Sequence, residues 1–166
     1  MENLSGAQGF LLLHQHLRHM DWSKITKGVT QPEYLILTAL HVHHQEVPDS
    51  QGIYVSALGE ELSVSVSMIS KLLRVLEEKG WILRTVDKNS RRNTFVTLTE
   101  LGERIYQTAS KEMKDFHQGV VDSLGQERFM QLLSSAATLF RAYEDALSEL
   151  VGLTRRAGFR VVAAGA

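Results

Sequence analysis

The feature that most constrains this chain is a break at Ser63-Val64-Ser65 between two short segments, each of which gathers its apolar residues on one helical face. Before the break, Val55, Leu58 and Leu62 recur at steps of three and four; after it, Ile69, Leu72, Leu73 and Leu76 do the same. A serine hydroxyl at position 65 is suited to accept a backbone N-H from the first turn of the second segment, so a new helix starts there. Two helices joined by so short a turn form a helix-turn-helix. On the second helix the polar residues Ser67, Ser70, Lys71 and Arg74 fall opposite the apolar face.

The flanking sequence extends this unit in both directions. Gly80 ends the second helix, since glycine takes the left-handed conformation that closes a helix at little cost. Trp81 to Val86 and Thr94 to Leu98 are rich in β-branched and aromatic residues, and the polar stretch Asp87-Lys88-Asn89-Ser90-Arg91-Arg92-Asn93 joins them into a hairpin with a long charged tip. Upstream, Thr30-Gln31-Pro32-Glu33 reads as a helix start, and Tyr34 to Leu40 is apolar almost all round, which predicts a central, buried helix. Phe10, Leu13, Leu17 and Met20 predict a first helix with one apolar stripe.

Two further helices follow the hairpin. Thr99 is placed to cap one that carries Leu101, Ile105, Ala109, Met113, Phe116 and Val120. After Gly125, Phe129, Leu133, Ala136, Phe140, Tyr143, Leu147 and Leu150 alternate steps of four and three without a miss, which is a heptad seam. Apolar seams at both chain ends, in a chain of 166 residues with one core, predict an interface between subunits. The segment 152–166 has no period and is expected to be a flexible tail.

Composition narrows the function by exclusion. With no cysteine, the chain has no disulfide, thiolate metal site or sulfur-based redox sensor. No apolar run reaches the roughly 20 residues that cross a bilayer, and a basic, apolar secretory leader is lacking, so a soluble cytoplasmic protein with no membrane partner is expected. The sequence contains no glycine-rich phosphate loop, no Gly-x-Ser-x-Gly elbow and no cofactor motif. An enzyme is not expected.

The net charge of -1 hides a local asymmetry. Lys71, Arg74, Lys79, Arg84, Lys88, Arg91 and Arg92 crowd positions 63–95 against Glu77, Glu78 and Asp87 alone, whereas acids outnumber bases from Glu100 to Leu150. Positive potential over a helix-turn-helix and a hairpin tip is the electrostatic footprint of a DNA-binding surface. The second helix has the dimensions to enter a major groove, with short hydroxyls that admit close approach and Lys71 or Arg74 to reach guanine or phosphate. The tip residues Lys88, Asn89, Arg91 and Arg92 suit a minor groove. The same serines equally suit the solvated side of an ordinary amphipathic helix, and the same tip a solvated turn.

Seven histidines raise a metal reading. His41 and His44 are one helical turn apart, as are His16 and His19, and His117 lies on a later helix. Zinc needs three or four convergent ligands, so His41, His44 and His117 are candidates only if the fold brings them together. Two alternatives therefore stand beside DNA-binding regulation: a winged helix that docks an acidic protein partner, and a metal-responsive regulator using these histidines.

The segments Val29 to Leu37, Leu62 to Leu73 and Leu76 to Ile82, followed by Arg91-Arg92-Asn93-Thr94-Phe95-Val96-Thr97-Leu98-Thr99 and Gly102, resemble the MarR family of transcription regulators. The resemblance runs in order over about residues 10 to 150. It implies a homodimer joined by the first and last helices and sequence-specific DNA binding. Repression relieved by a small anionic or phenolic ligand is the usual mode, with the ligand in a cleft between the dimer helices and the DNA-binding lobe. By matching positions it assigns DNA contacts to Ser65, Ser67, Met68, Ser70, Lys71 and Arg74 on the recognition helix and to Arg91 and Arg92 on the wing. Two positions depart from the family pattern: Ser90 stands where an aspartate commonly precedes the paired arginines, and Ser63 where the turn commonly has glycine. Asp87 or Asn89 is expected to replace the missing carboxylate.

The expected architecture is thus mainly α with a small β-hairpin wing. It is a single domain over 1–166, with a winged helix-turn-helix lobe at about 30–100 and dimerisation helices at about 5–28 and 101–151. The expected partners are an operator duplex, a second copy of the chain and a small-molecule effector whose identity has no signature in the sequence.

Overall fold

The structure, a computed structural model, describes residues 6–87, 90 and 93–156. The elements in chain order are α1 (Gly6–Arg18), α2 (Trp22–Ile25), α3 (Gln31–Glu46), β1 (Ile53–Tyr54), α4 (Val55–Glu61), α5 (Val66–Glu78), β2 (Ile82–Val86), β3 (Thr94–Leu98), α6 (Glu100–Leu124) and α7 (Gln126–Arg156). The architecture is mainly helical, with one antiparallel sheet in the order β1-β3-β2. The chain divides into two compact units, one ending at Phe116 and one beginning at His117.

In the first unit, α3, α4 and α5 pack their apolar faces together and against the sheet. Ile36, Leu37, Leu58, Ile69, Leu73 and Leu76 are fully buried, as is Val96 of the central strand. Each such side chain contributes on the order of 2 kcal/mol through removal from water. The α3 start follows the residues that predict it: the Thr30 N-H donates to the Glu33 carboxylate at 2.9 Å, with Pro32 in the first turn. Burial of α3 is one-sided, however. Leu35 and Val42 are exposed, because only the stripe holding Ile36, Leu37 and Leu40 faces the core.

Glu33 itself is buried and also accepts from Lys79 Nζ at 2.6 Å, while that ammonium lies 4.4 Å from the centre of the Trp81 ring. Burial opposes ionisation of Glu33, but the donors on Lys79 and Thr30 outweigh it and hold its carboxyl below the usual glutamate value. A depressed folded-state value means that Glu33 contributes stability above the unfolded value near 4.5, lost as pH falls through the folded value. Denaturant melts are expected to show a smaller loss of stability between pH 7 and the acid range for Glu33→Gln than for the unaltered chain. Equal losses would show that this ion pair does not carry acid sensitivity.

The break between α4 and α5 is a left-handed residue. Ser63 has φ 54°, a conformation that costs a residue with a Cβ roughly 1–2 kcal/mol. Glycine would remove that cost but lose more chain entropy on folding, roughly 0.5–1 kcal/mol. Ser63→Gly is therefore expected to raise stability by about 0.5–1 kcal/mol in a urea titration, and a decrease would contradict the strain.

The hairpin pairs Ile82 with Leu98 through Val86 with Thr94, close to the expected strands. The sequence does not foreshadow β1, two residues long, which pairs Ile53 with Val96 and Tyr54 with Phe95 and makes β3 the central strand. Gly80 closes α5 with φ 70°. Thr99 links three elements: its hydroxyl donates to the Gly80 carbonyl at 2.7 Å and accepts from the Gly102 N-H at 3.0 Å. At the α6 start, Gly102 lies directly against the Trp81 carbonyl group.

Several helical stripes are left uncovered in the single chain. On α6, Ala109 is fully buried but Leu101 and Phe116 are exposed. On α1, Leu11 and Leu13 are exposed, and Met20 lies beyond the helix end at Arg18. The second unit comprises the end of α6, a turn at Gly125 with φ 79°, and α7. The His117 ring meets the Phe129 ring edge-on at 4.9 Å. Along α7, Leu133, Phe140, Tyr143, Leu147 and Leu150 are all exposed. The helix continues to Arg156, so Gly152 to Arg156 belong to it and not to a tail. Residues 157–166 lie outside the described residues.

Candidate nucleic-acid interface

The orientation of α5 is set by its buried side. With Ile69, Leu73 and Leu76 held in the core, the opposite face presents Ser67, Met68, Lys71 and Arg74 to solvent, with Ser70 half-buried. Its start is as the sequence predicts. Ser65 Oγ accepts the Met68 N-H at 3.3 Å and lies 3.1 Å from Ser67 Oγ, so these two serines are engaged at the helix end. Exposed Val66 joins the same face, a residue absent from the sequence-based set.

The basic segment is not uniformly available. Lys79 is taken up by Glu33, and Arg84 lies 3.7 Å from Glu77. Among the described residues, Lys71 and Arg74 make no ion pair, so α5's outward charge rests on them.

At the hairpin, the Asp87 N-H donates to the Asn93 carbonyl at 3.0 Å and the Asn93 N-H to the Ser90 carbonyl at 2.8 Å. Lys88, Asn89, Arg91 and Arg92, the expected wing contacts, lie outside the described residues. The hairpin base has a partner that sequence reading misses. The Tyr54 hydroxyl donates to the buried Asp87 carboxylate at 2.9 Å, and the Tyr54 ring stacks on Phe95 at 4.3 Å. That carboxylate holds the Tyr54 phenol above its usual value. The residue pair is separated by 33 positions, and no local pattern links them.

The histidine candidates have other partners. His41 Nδ1 contacts both Glu103 carboxylate oxygens, at 2.9 and 3.0 Å, and its ring stacks on Tyr106 at 4.3 Å. His44 is exposed, and His117 packs on Phe129. Among the described residues, no three His, Asp or Glu side chains converge as a metal site needs.

Cavities border the lobe among the described residues. One, of about 470 Å³, has a floor of Leu40, Val96 and Leu98 and a rim that includes His43, His44 and Glu103. Another, of about 270 Å³, lies between the α5 start and the hairpin base. No helix among the described residues is long and apolar enough to cross a membrane.

A helix-turn-helix whose second helix turns its polar face outward, followed by a hairpin on a three-stranded sheet, defines a winged-helix protein. Residues 29–94 match the family model described as MarR family. The HTH-type transcriptional regulator SarZ of Staphylococcus epidermidis is 29% identical over 83 residues. That match covers 50% of this chain and 51% of SarZ, so the chain spans about half the length of this relative. The transcriptional regulator HosA of Escherichia coli is 27% identical over 125 residues, 74% of this chain and 86% of HosA. Among solved structures, the S. aureus MepR-DNA complex superposes with a TM-score of 0.68 at 20% identity, covering 84% of this chain and 99% of MepR. At that identity the likeness is one of fold.

Proposed function

We propose that this chain is a sequence-specific DNA-binding transcriptional regulator that acts as a homodimer on a pseudo-palindromic operator. The observation that carries the reading is the α5 face: a capped helix start, small hydroxyls, and Lys71 and Arg74 exposed, with no acidic partner among the described residues. Such a face matches a major groove, where basic side chains reach guanine or phosphate. In this reading Ser65, Ser67, Met68, Ser70, Lys71 and Arg74 contact the operator from the helix, and Lys88, Asn89, Arg91 and Arg92 from the wing. The superposable MepR structure is that of a MepR-DNA complex.

The dimer is supported by the seam on α7, where Leu133, Phe140 and Leu147 are exposed in the single chain. Large apolar residues repeated at heptad spacing are a surface that a second copy covers. Residues 5–28 and 101–151 then serve dimerisation and 30–100 the DNA. Two recognition helices about 34 Å apart would meet successive major grooves. Repression released by a small molecule completes the reading, and the 470 Å³ cavity in the lobe has the size of a small-molecule site.

Selection of binding duplexes from random DNA, followed by gel-shift titration and light scattering, tests the reading. It requires an enriched inverted repeat bound by a dimer. Equal binding to all duplexes, or a monomer at micromolar concentration, contradicts it.

A further inference from the structure

We propose that the pocket between α5 and the hairpin base seats a single DNA backbone phosphate, with Arg84 as its principal ligand. The proposal rests on the DNA-binding reading above and adds a contact that reading does not contain. When one protein places a helix in the major groove and a hairpin tip in the adjacent minor groove, a sugar-phosphate strand passes between the two elements. The 270 Å³ pocket opens at that place. It is bounded by Val66 and Ser70 of α5, Tyr54 to Ser56 at the α4 start, Arg84 of β2, and Asn93 and Thr94 at the hairpin base.

The chemistry of the lining is that of an anion site. Among the described residues that line the pocket Arg84 is the cation, and Ser56, Ser70 and Thr94 supply hydroxyls. Paired with Val96 across the sheet, Arg84 lies on the face that holds buried Ile82 and is half-buried itself. A guanidinium carries five donors in a planar fork that matches phosphate, and partial desolvation strengthens such charge-assisted bonds. Glu77 approaches from one side at 3.7 Å, longer than a hydrogen bond, which leaves most of these donors for another acceptor. The pocket walls are held in place from behind, because the Tyr54 hydroxyl is bonded to Asp87 at 2.9 Å and so ties the α4 start to the hairpin base. A phosphate seated there fixes the register of α5 in its groove but reads no base.

The experiment uses the full chain and a selected duplex, with a panel of duplexes in which one phosphate at a time is an uncharged methylphosphonate. For the unaltered protein, one position in each half-site is expected to lower affinity about tenfold, the scale of one charge-assisted hydrogen bond. Arg84→Ala removes the contact from both half-sites and is expected to bind unmodified DNA about 100-fold more weakly, and to lose sensitivity to that one position. Its slope of log affinity against log salt should be smaller by about 0.9 for each half-site. Arg84→Lys keeps the charge and should retain most of the slope while losing part of the affinity, which preserves the test if the alanine variant is unstable. Ser56→Ala should weaken binding less and blunt the response at the same position.

If Arg84→Ala and Arg84→Lys respond to every methylphosphonate as the unaltered protein does, Arg84 only ties β2 to α5 through Glu77 and the proposal is overturned. A pocket for free phosphate is a separate outcome. Millimolar inorganic phosphate would then raise the melting temperature of the unaltered chain but not of Arg84→Ala, with no methylphosphonate position singled out, and that too overturns it. Failure of the unaltered chain to bind any selected duplex defeats the regulator reading itself and this site with it.

Discussion

Gly102→Ala is expected to destabilise the fold by about 3 kcal/mol and lower the melting temperature by about 10 °C. Helix propensity alone gives the opposite sign, since alanine in a helix is favoured over glycine by up to about 1 kcal/mol. The tertiary contact reverses it. An added Cβ at Gly102 would overlap the Trp81 carbonyl oxygen and stand 2.8 Å from the carbonyl carbon. That oxygen accepts the Thr99 N-H at 3.0 Å, so it cannot retreat without loss of the bond that joins β3's end to α5's end. The Cβ position is fixed by the helix backbone and its partner is the Trp81 backbone, so no rotamer relieves the clash. Gly119 on the same helix is the control, because a Cβ there meets nothing within 4 Å. Gly119→Ala is expected to be neutral or to gain up to about 1 kcal/mol. Equal melting temperatures for both variants would remove the close approach from the account.

The second large effect is on function. Lys71→Ala/Arg74→Ala is expected to weaken operator binding about 1,000-fold while leaving the melting temperature unchanged. Each half-site loses two cationic contacts, and about 2 kcal/mol for each half-site is within the range for lost arginine or lysine contacts. Both residues lie on the exposed side of α5 and make no ion pair among the described residues, so the folded chain loses little with them. If both contacts are to phosphate, the salt slope should fall by about 0.9 for each. A residue that reads guanine instead would leave much of the slope and relax the operator preference at one base pair. Gel shifts at several salt concentrations separate these outcomes, and unchanged affinity would sink the assignment of α5 as the reading helix.

Helix α5 was legible in the sequence because its signals are local and agree with one another. The Ser65 cap, the apolar stripe from Ile69 to Leu76 and the terminating Gly80 all sit within one stretch of chain. The hairpin was legible for the same reason, through β-branched runs on either side of a polar tip. By contrast, α3 read as buried all round, because seven consecutive residues that are nearly all apolar do not tell which side meets the core. In the fold Leu35 and Val42 are exposed. The third strand was invisible, since two residues form a strand only when another strand supplies every hydrogen bond.

The break at Ser63-Val64-Ser65 shows where the two kinds of information divide. Its place between two helices, the Ser65 cap and the outward polar face of α5 follow from the sequence alone, because capping and periodicity act between residues a few positions apart. The tertiary structure alone decided which distant side chains meet. It set Lys79 on Glu33, drew Arg84 beside Glu77 at a pocket edge, and bonded Tyr54 to Asp87. Those pairs join residues distant in the chain, and their geometry exists only once the core has packed.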